Sequence, residues 1–168
     1  GNRIIRNAET NLGDLTADAY RAELGADIGL SNGGGIRSVI KPGNITYNDT
    51  LAVFPYGNMG CVIEATGQQI KDALEMASRN CPEESGGFLQ VSGLTYTIDT
   101  SVKSGVQTDD KGNFTGVSGA YRVMDIKVGG EPIDLNKTYT VASHNYMLKQ
   151  GGDGMTMFKG CNVIRDEV

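Results

Sequence analysis

The stretch ADIGLSNGGGIR, residues 26–37, joins a short apolar segment directly to a run of three glycines. The apolar part, around Ile28 and Leu30, predicts a short buried strand. The glycines leave the backbone open to close approach, and the guanidinium of Arg37 can bind an anion through two of its nitrogens. The lysine and hydroxyl of a phosphate-binding P-loop are missing, and the glycine spacing differs from that of a dinucleotide fingerprint. Two interpretations stay open for this run, a tight turn and a ligand site.

The segments on either side of this stretch predict one helix and two strands. NLGDLTADAYRAEL, residues 11–24, has the apolar periodicity of a helix, with Asn11 as its N-cap and Gly25 at its end. After a turn at KPGN, the stretches LAVFPYGN (51–58) and CVIEA (61–65) predict two strands joined near a glycine.

The second half of the chain predicts one more helix and then mostly strands. Thr66 and Gln69 form the capping-box pattern at the start of a helix that ends before Pro82. The segment 101–119, rich in Gly, Ser, Thr and Asp, predicts an exposed loop or a ragged hairpin. Strands are predicted within 86–99, 121–133 and 138–146. No repeat or linker divides the chain, and the elements lack a strict βαβ rhythm, so we expect one α+β domain with a mixed sheet packed with helices.

Composition restricts the function classes that remain. The chain has 168 residues, of which 39% are hydrophobic and 21% charged, as in a folded globular domain. No apolar run approaches the roughly twenty residues of a membrane span. A net charge of −5 argues against a general nucleic-acid binder. No signal peptide opens the sequence, which carries no information if the chain is cut from a longer precursor.

Catalytic equipment is sparse. Cys61, Cys81 and Cys161 are too scattered for a zinc cage, and they are read either as buried small apolar residues or as one disulfide with one remaining thiol. His144 is the single histidine, and without an evident base or ligand partner a structural role is favoured over a catalytic one. No G-x-S-x-G nucleophile signature occurs.

Two further glycine-containing segments carry groups suited to ligand binding. In FPYGN, residues 54–58, the two rings face opposite sides if the stretch is extended, so Tyr56 is left facing outward beside Asn58. In NYMLKQGGDG, residues 145–154, Tyr146 precedes Asp153, which lies among glycines. Two aromatic rings, an amide, a carboxylate and an arginine together suit a planar base, a diol and a phosphate.

The order of four segments resembles the C-terminal domain of the 5′-nucleotidase family, which includes UDP-sugar hydrolases and 2′,3′-cyclic-nucleotide phosphodiesterases. The segments are ETNLGDLTADAYR (9–21), NGGGIRSVIKPGNITYNDTLAVFPYGN (32–58), ESGGFLQVSGLTY (84–96) and NYMLKQGGDGM (145–155). Each is a weak signal alone, but the four in this order are specific, and the resemblance extends from about Arg6 to Phe158.

The resemblance implies a set of substrate-binding positions: Arg6, Asn32, Arg37, Tyr56, Asn58, Gly86, Tyr146 and Asp153. In the family, the two arginines contact the phosphate or ribose side, and the two asparagines make polar contacts to base or ribose. The two rings enclose the base, the aspartate holds the ribose hydroxyls, and the glycine lines the base pocket. Both rings are tyrosine here, where phenylalanine is common, which adds a hydroxyl able to form hydrogen bonds.

The same resemblance implies that residues 1–168 are a substrate-recognition domain without catalytic residues, cofactor or metal of its own. Its partners would be a nucleotide or nucleoside and an N-terminal metallophosphoesterase domain of the same protein, which holds a divalent metal pair such as zinc or manganese. The implied location is extracellular, in the cell wall or periplasmic. Two alternatives stay open: a stand-alone nucleoside-binding module, and a structural domain whose pocket has decayed. The preferred base, and the choice among monophosphate, cyclic nucleotide and UDP-sugar, also stay open.

Overall fold

A five-stranded mixed sheet is the centre of the fold in the computed structural model, which describes residues 3–166. The helices are α1 Asn11–Leu24, α2 Tyr47–Val53, α3 Gly67–Ser78 and α4 Asn145–Leu148. The strands are β1 Ile28–Asn32, β2 Gly60–Thr66, β3 Leu89–Ser92, β4 Leu94–Ile98, β5 Val106–Thr108, β6 Phe114–Val117, β7 Val123–Val128, β8 Glu131–Pro132, β9 Thr138–His144 and β10 Asn162–Arg165. Short 3-10 turns lie at Ile4–Arg6, Gly33–Gly35, Gly152–Gly154 and Thr156–Phe158.

The large sheet has the strand order β10–β2–β9–β1–β3, in which β1 and β9 are parallel and the other neighbours antiparallel. A three-stranded sheet, β4–β7–β8, and a hairpin, β5–β6, complete the β-structure. All five residues of β1 are buried, as expected for a strand covered on both faces. The predicted α+β class with a mixed sheet is confirmed.

The two long helices pack against the sheets as their apolar faces require. α1 contacts β1, β3 and β9, whereas α3 contacts β2, β3 and β7 and so links the large sheet to the three-stranded one. The capping box predicted for α3 is present, with the Thr66 side chain accepting the backbone N–H of Gln69. The N-cap predicted for α1 is wrong by one residue, because the side chain of Thr10, not of Asn11, accepts the Gly13 N–H.

The strand predicted over residues 51–58 is wrong. Tyr47–Val53 is the helix α2, started by a capping box in which Thr46 and Asp49 bind each other's backbone N–H groups. The helix ends at Val53, with Phe54 as its C-cap, and the chain then turns through Gly57 at φ 62° before entering β2. Local capping therefore outweighs the strand-like apolar run, and only Val53 of α2 is buried.

Buried polar groups fix the end of α3 against β7. Arg122 is 4% exposed, and its guanidinium donates to the carbonyls of Ser78 at 2.9 Å and Cys81 at 2.7 Å. Glu75, fully buried, accepts the N–H groups of Arg122 and Val123 through Oε2. Because these groups satisfy main-chain atoms at a helix end, they stabilise the junction of the two sheets.

The cysteines form no disulfide, which agrees with the first of the two interpretations given above. Cys61 and Cys81 are buried, and Cys161 is half-buried. Burial raises the pKa of the Cys81 and Cys161 thiols.

Candidate functional site

One cavity of about 540 Å³ lies beyond the C-terminal end of β1. Residues far apart in the chain line it, from the first 3-10 turn to the turn after α4. All eight positions expected from the sequence are among them, and none lies elsewhere. The lining residues are Arg6, Asn32, Gly34, Gly35, Arg37, Tyr56, Asn58, Gly86, Tyr146 and Asp153.

The glycine run forms one wall of the cavity by packing directly against the segment before β3. The N–H of Gly33 donates to the Phe88 carbonyl at 2.8 Å, and that of Gly34 donates to the Gly86 carbonyl at 2.7 Å. A Cβ on Gly34 would lie 2.9 Å from the Gly86 oxygen and 3.0 Å from its Cα. The close approach of the two backbones therefore explains why glycine is needed at this position. The sequence alone left two interpretations of the glycine run open, a tight turn and a ligand site.

The two tyrosines on the cavity keep exposed ring surface. Tyr56 is 60% exposed and Tyr146 is 38% exposed. The guanidinium carbon of Arg37 lies 6.0 Å from the Tyr56 ring centroid, at the limit of a cation–π contact. The Tyr146 ring rests on the backbone of Gly152, where a Cβ would lie 2.3 Å from a ring carbon. Each ring is thus held at one side by the protein.

Asp153 is held in an unusual conformation beside these rings. Its φ of 55° lies in the left-handed region, which a non-glycine residue rarely adopts. Its backbone N–H donates to the Tyr146 hydroxyl at 3.3 Å, and its Oδ2 accepts from Nδ2 of Asn32. Backbone strain of this kind persists where the surrounding contacts determine it, and it is typical of binding sites.

Two arginines contribute positive charge to the cavity lining. Arg6 and Arg37 both line the cavity, and their mutual repulsion is strong enough to act on the titration of Arg6. Burial, followed by the neighbouring guanidinium groups of Arg3 and Arg37, lowers the pKa of Arg6. Its buried Nε has no hydrogen-bond partner among residues 3–166, whereas Arg3 is paired with Glu84 at 2.7 Å.

His144 is buried next to the large cavity with partners for both ring nitrogens, which agrees with the structural role favoured from the sequence. It is 4% exposed and lines a smaller cavity of about 70 Å³, next to the large one, together with Asn32 and Tyr56. Its Nε2 is 2.9 Å from Oδ1 of Asn32. Burial lowers the pKa of His144 to about 4, while the carboxylate of Asp153 acts in the opposite direction. No local pattern signals this contact, because 112 positions separate the two residues.

Metal ligands do not gather anywhere in the part of the chain that the structure describes: no three His, Cys, Asp or Glu side chains there converge on one point. These residues do not fit the metal pair that the resemblance implies for a neighbouring domain, so we derive no hydrolytic step from them. Within residues 3–166, every helix is too short or too polar to cross a lipid bilayer.

Comparison with known proteins gives one consistent result. The family model described as "5′-nucleotidase, C-terminal domain" matches residues 2–160. The trifunctional nucleotide phosphoesterase protein YfkN of Bacillus subtilis is 37% identical over 163 residues, which cover 92% of this chain and 10% of that protein. A 5′-nucleotidase of Vibrio cholerae is 33% identical over 153 residues, which cover 90% of this chain and 23% of that protein.

Among solved structures, the crystal structure of a 5′-nucleotidase precursor from Thermus thermophilus superposes on 99% of this chain with a TM-score of 0.82 and 34% identity. The matched region is 31% of that protein. This chain therefore spans at most about a third of the length of these relatives.

Proposed function

Because the chain belongs to the 5′-nucleotidase family as its C-terminal domain, we propose that it binds the nucleoside part of a nucleotide and presents the phosphate to a catalytic domain. The observation that carries this proposal is the cavity of about 540 Å³, which collects the rings, amides, carboxylate and arginines from separate segments of the chain. Each kind of group matches one part of a nucleotide, so the cavity supports recognition rather than chemistry.

The base would bind between Tyr56 and Tyr146. Both rings line the cavity and keep exposed surface, although each is supported on one side by Arg37 or Gly152. Stacking on an aromatic face is favourable for every base, and it contributes about 1–3 kcal/mol per base. The clamp therefore supports nucleotide binding without selecting a base.

The ribose and phosphate would meet the charged groups. Asp153 offers a carboxylate, the group that accepts hydrogen bonds from a ribose diol in other nucleotide sites. Arg6 and Arg37 both line the cavity and offer guanidinium donors there. Guanidinium groups bind phosphate oxygens through charge-assisted hydrogen bonds, so the phosphate would bind on this side.

For the full-length protein, we propose hydrolysis of a nucleotide to nucleoside and phosphate at an extracellular, cell-wall or periplasmic location. The metals, such as zinc or manganese, would be held by an N-terminal metallophosphoesterase domain, where a metal pair activates water. Residues 1–168 would supply recognition, and the substrate would reach the metals by relative rotation of the two domains. The names of the relatives, nucleotide phosphoesterase and 5′-nucleotidase, support this proposal.

Calorimetric titration of the 168-residue chain with AMP and adenosine tests the proposal. Tyr146→Ala is expected to weaken binding of both ligands by about 1–3 kcal/mol, since both carry the base. Tyr47→Ala is the matched control, because Tyr47 is 77% exposed on α2 and does not line the cavity. Arg37→Ala is expected to weaken AMP more than adenosine, with Arg165→Ala, outside the cavity, as its control.

The same titrations separate the alternatives. A decayed pocket predicts that the wild-type chain binds neither ligand. If Tyr146→Ala destabilises the fold but the remaining folded protein still binds, the Tyr146 ring belongs to the core and does not stack on the base. A stand-alone binding module predicts that the wild-type chain binds the ligands and that its gene encodes no metallophosphoesterase domain upstream. The chain alone is expected to show no phosphatase activity on AMP with added Mn²⁺ or Zn²⁺, and turnover lost in His144→Ala would contradict this.

A further inference from the structure

His144 is a buried titratable group next to the candidate site that the proposed function does not use. His144 does not line the large cavity. Within residues 3–166, Asn32 is the lining residue whose side chain forms a hydrogen bond with the His144 ring. Its ring also packs edge-on to Tyr20, with centroids 6.1 Å apart, and lies 6.0 Å from the ring of Tyr146. A polar ring buried in this way must have a hydrogen-bonding role for both of its nitrogens.

The contacts of His144 define where its proton lies. As the N-cap of α4, it accepts the N–H of Met147 through Nδ1 at 3.4 Å. Burial lowers the pKa of His144 to about 4, so that the ring is neutral near pH 7. A neutral imidazole carries one proton, and since Nδ1 is the acceptor, Nε2 carries it. Nε2–H therefore donates to Oδ1 of Asn32 at 2.9 Å.

This donor sets the direction of the Asn32 amide. With Oδ1 occupied by His144, the NH₂ group of Asn32 faces Asp153 and donates to Oδ2. The reversed amide would place its oxygen against the carboxylate and its NH₂ against the N–H of His144, so both contacts would become repulsive. Asn32 is 4% exposed, and water therefore does not compensate either contact.

The position of the Asp153 carboxylate follows from that direction. Oδ2 is engaged by Asn32, while Oδ1 has no hydrogen-bond partner among residues 3–166 and remains available on the cavity. The residue is also in the left-handed conformation, with its N–H bound to Tyr146. A carboxylate held by one oxygen presents the other at a defined place.

We infer that His144 is a positioning residue for ribose recognition: it orients Asn32, which in turn holds Asp153 ready for the hydroxyls of a nucleoside. The inference rests on the proposed function, because the diol is the ligand group that the carboxylate would bind. His144 does not line the large cavity, so its effect on a ligand there would pass through Asn32 and Asp153.

Two substitutions separate the donor from the rest of the ring. His144→Gln keeps an N–H donor at about the reach of Nε2, directed at Asn32. His144→Asn keeps an acceptor at about the reach of Nδ1, which can still cap α4, but it loses the donor to Asn32. The two variants are both amides, so they control for polarity: the Gln variant keeps the donor to Asn32, whereas the Asn variant keeps the cap of α4.

The ligands are adenosine and 2′,3′-dideoxyadenosine, titrated into the 168-residue chain. We expect His144→Asn to weaken adenosine binding on the order of tenfold, the effect of one hydrogen bond, while dideoxyadenosine binding changes less than twofold. His144→Gln is expected to keep most of the adenosine affinity, and Asp153→Asn to show the same selective loss as His144→Asn. Nitrogen-15 NMR of the wild-type ring near pH 7 is expected to show the neutral Nε2–H form.

Each other outcome is decisive. Equal losses for both ligands would mean that the ring of His144 acts through its neighbour Tyr146 and the base, and equal affinities of the Gln and Asn variants would mean that His144 has only a structural role. A neutral ring protonated at Nδ1 would overturn the inference without any variant, including the case in which His144→Asn fails to fold. A wild-type chain that binds neither ligand would instead overturn the proposed function, and the inference with it.

Discussion

Lowering the pH from 7 to 5 is expected to destabilise this domain through His144. In the folded chain its pKa is about 4, because burial disfavours the charged ring, whereas the pKa of an unfolded histidine is 6.5. Between pH 6.5 and pH 4, His144 is therefore mostly protonated in the unfolded state and mostly neutral in the folded state. The stabilisation from this difference is fully present above pH 6.5 and is lost as the pH falls towards 4.

The magnitude follows from these two pKa values. Between pH 7 and pH 5, the linkage relation gives a loss of about 2 kcal/mol in the free energy of unfolding. The loss is still about 1.5 kcal/mol if the folded pKa is one unit higher, which makes pH 5 a robust choice. At 4% exposure, His144 is buried enough that solvent screening does not reduce this value appreciably. Asp153, Tyr20 and Tyr146 are the titratable groups that face it.

Urea denaturation at pH 7, 6 and 5 measures the effect, with His144→Gln as the control. Carboxylates elsewhere in the chain also lose stability in acid, but they do so equally in both proteins. The wild type is therefore expected to lose about 2 kcal/mol more than His144→Gln between pH 7 and 5. Parallel pH dependences of the two proteins would refute the assignment of a neutral, buried His144.

Three further changes test other contacts of the structure. Tyr146→Phe keeps the ring face but removes the acceptor for the Asp153 N–H, so the free energy of unfolding should fall by about 1 kcal/mol, and adenosine titration should show a far smaller loss than Tyr146→Ala. Arg122→Met leaves the carbonyls at the end of α3 without donors and should cost about 1–3 kcal/mol in urea denaturation; an unchanged free energy of unfolding would contradict this role. Gly34→Ala places a Cβ 2.9 Å from the Gly86 oxygen and should lower stability by about 1–3 kcal/mol, while an unchanged melting temperature would show that the two backbones can separate freely.

Local sequence signals predicted the elements whose stability is itself local. The capping box at Thr66 and Gln69 correctly placed the start of α3, and Gly25 the end of α1. The error at residues 51–58 also has a local origin, because the apolar run favours a strand whereas the capping box at Thr46 and Asp49 starts a helix. Seven residues rich in apolar side chains are too few for periodicity to separate a helix from a strand.

For the candidate site, the sequence by itself determined the residue types and the family, through four motifs whose order is specific. That those residues bind a nucleotide stays a prediction. Only the tertiary structure decided that they share one cavity, that Arg6 Nε lacks a partner within residues 3–166, and that His144 contacts Asn32. The physical reason is sequence distance: Asn32 meets Asp153 across 121 positions, and the folding of β1 beside β9, not any local pattern, brings these side chains together.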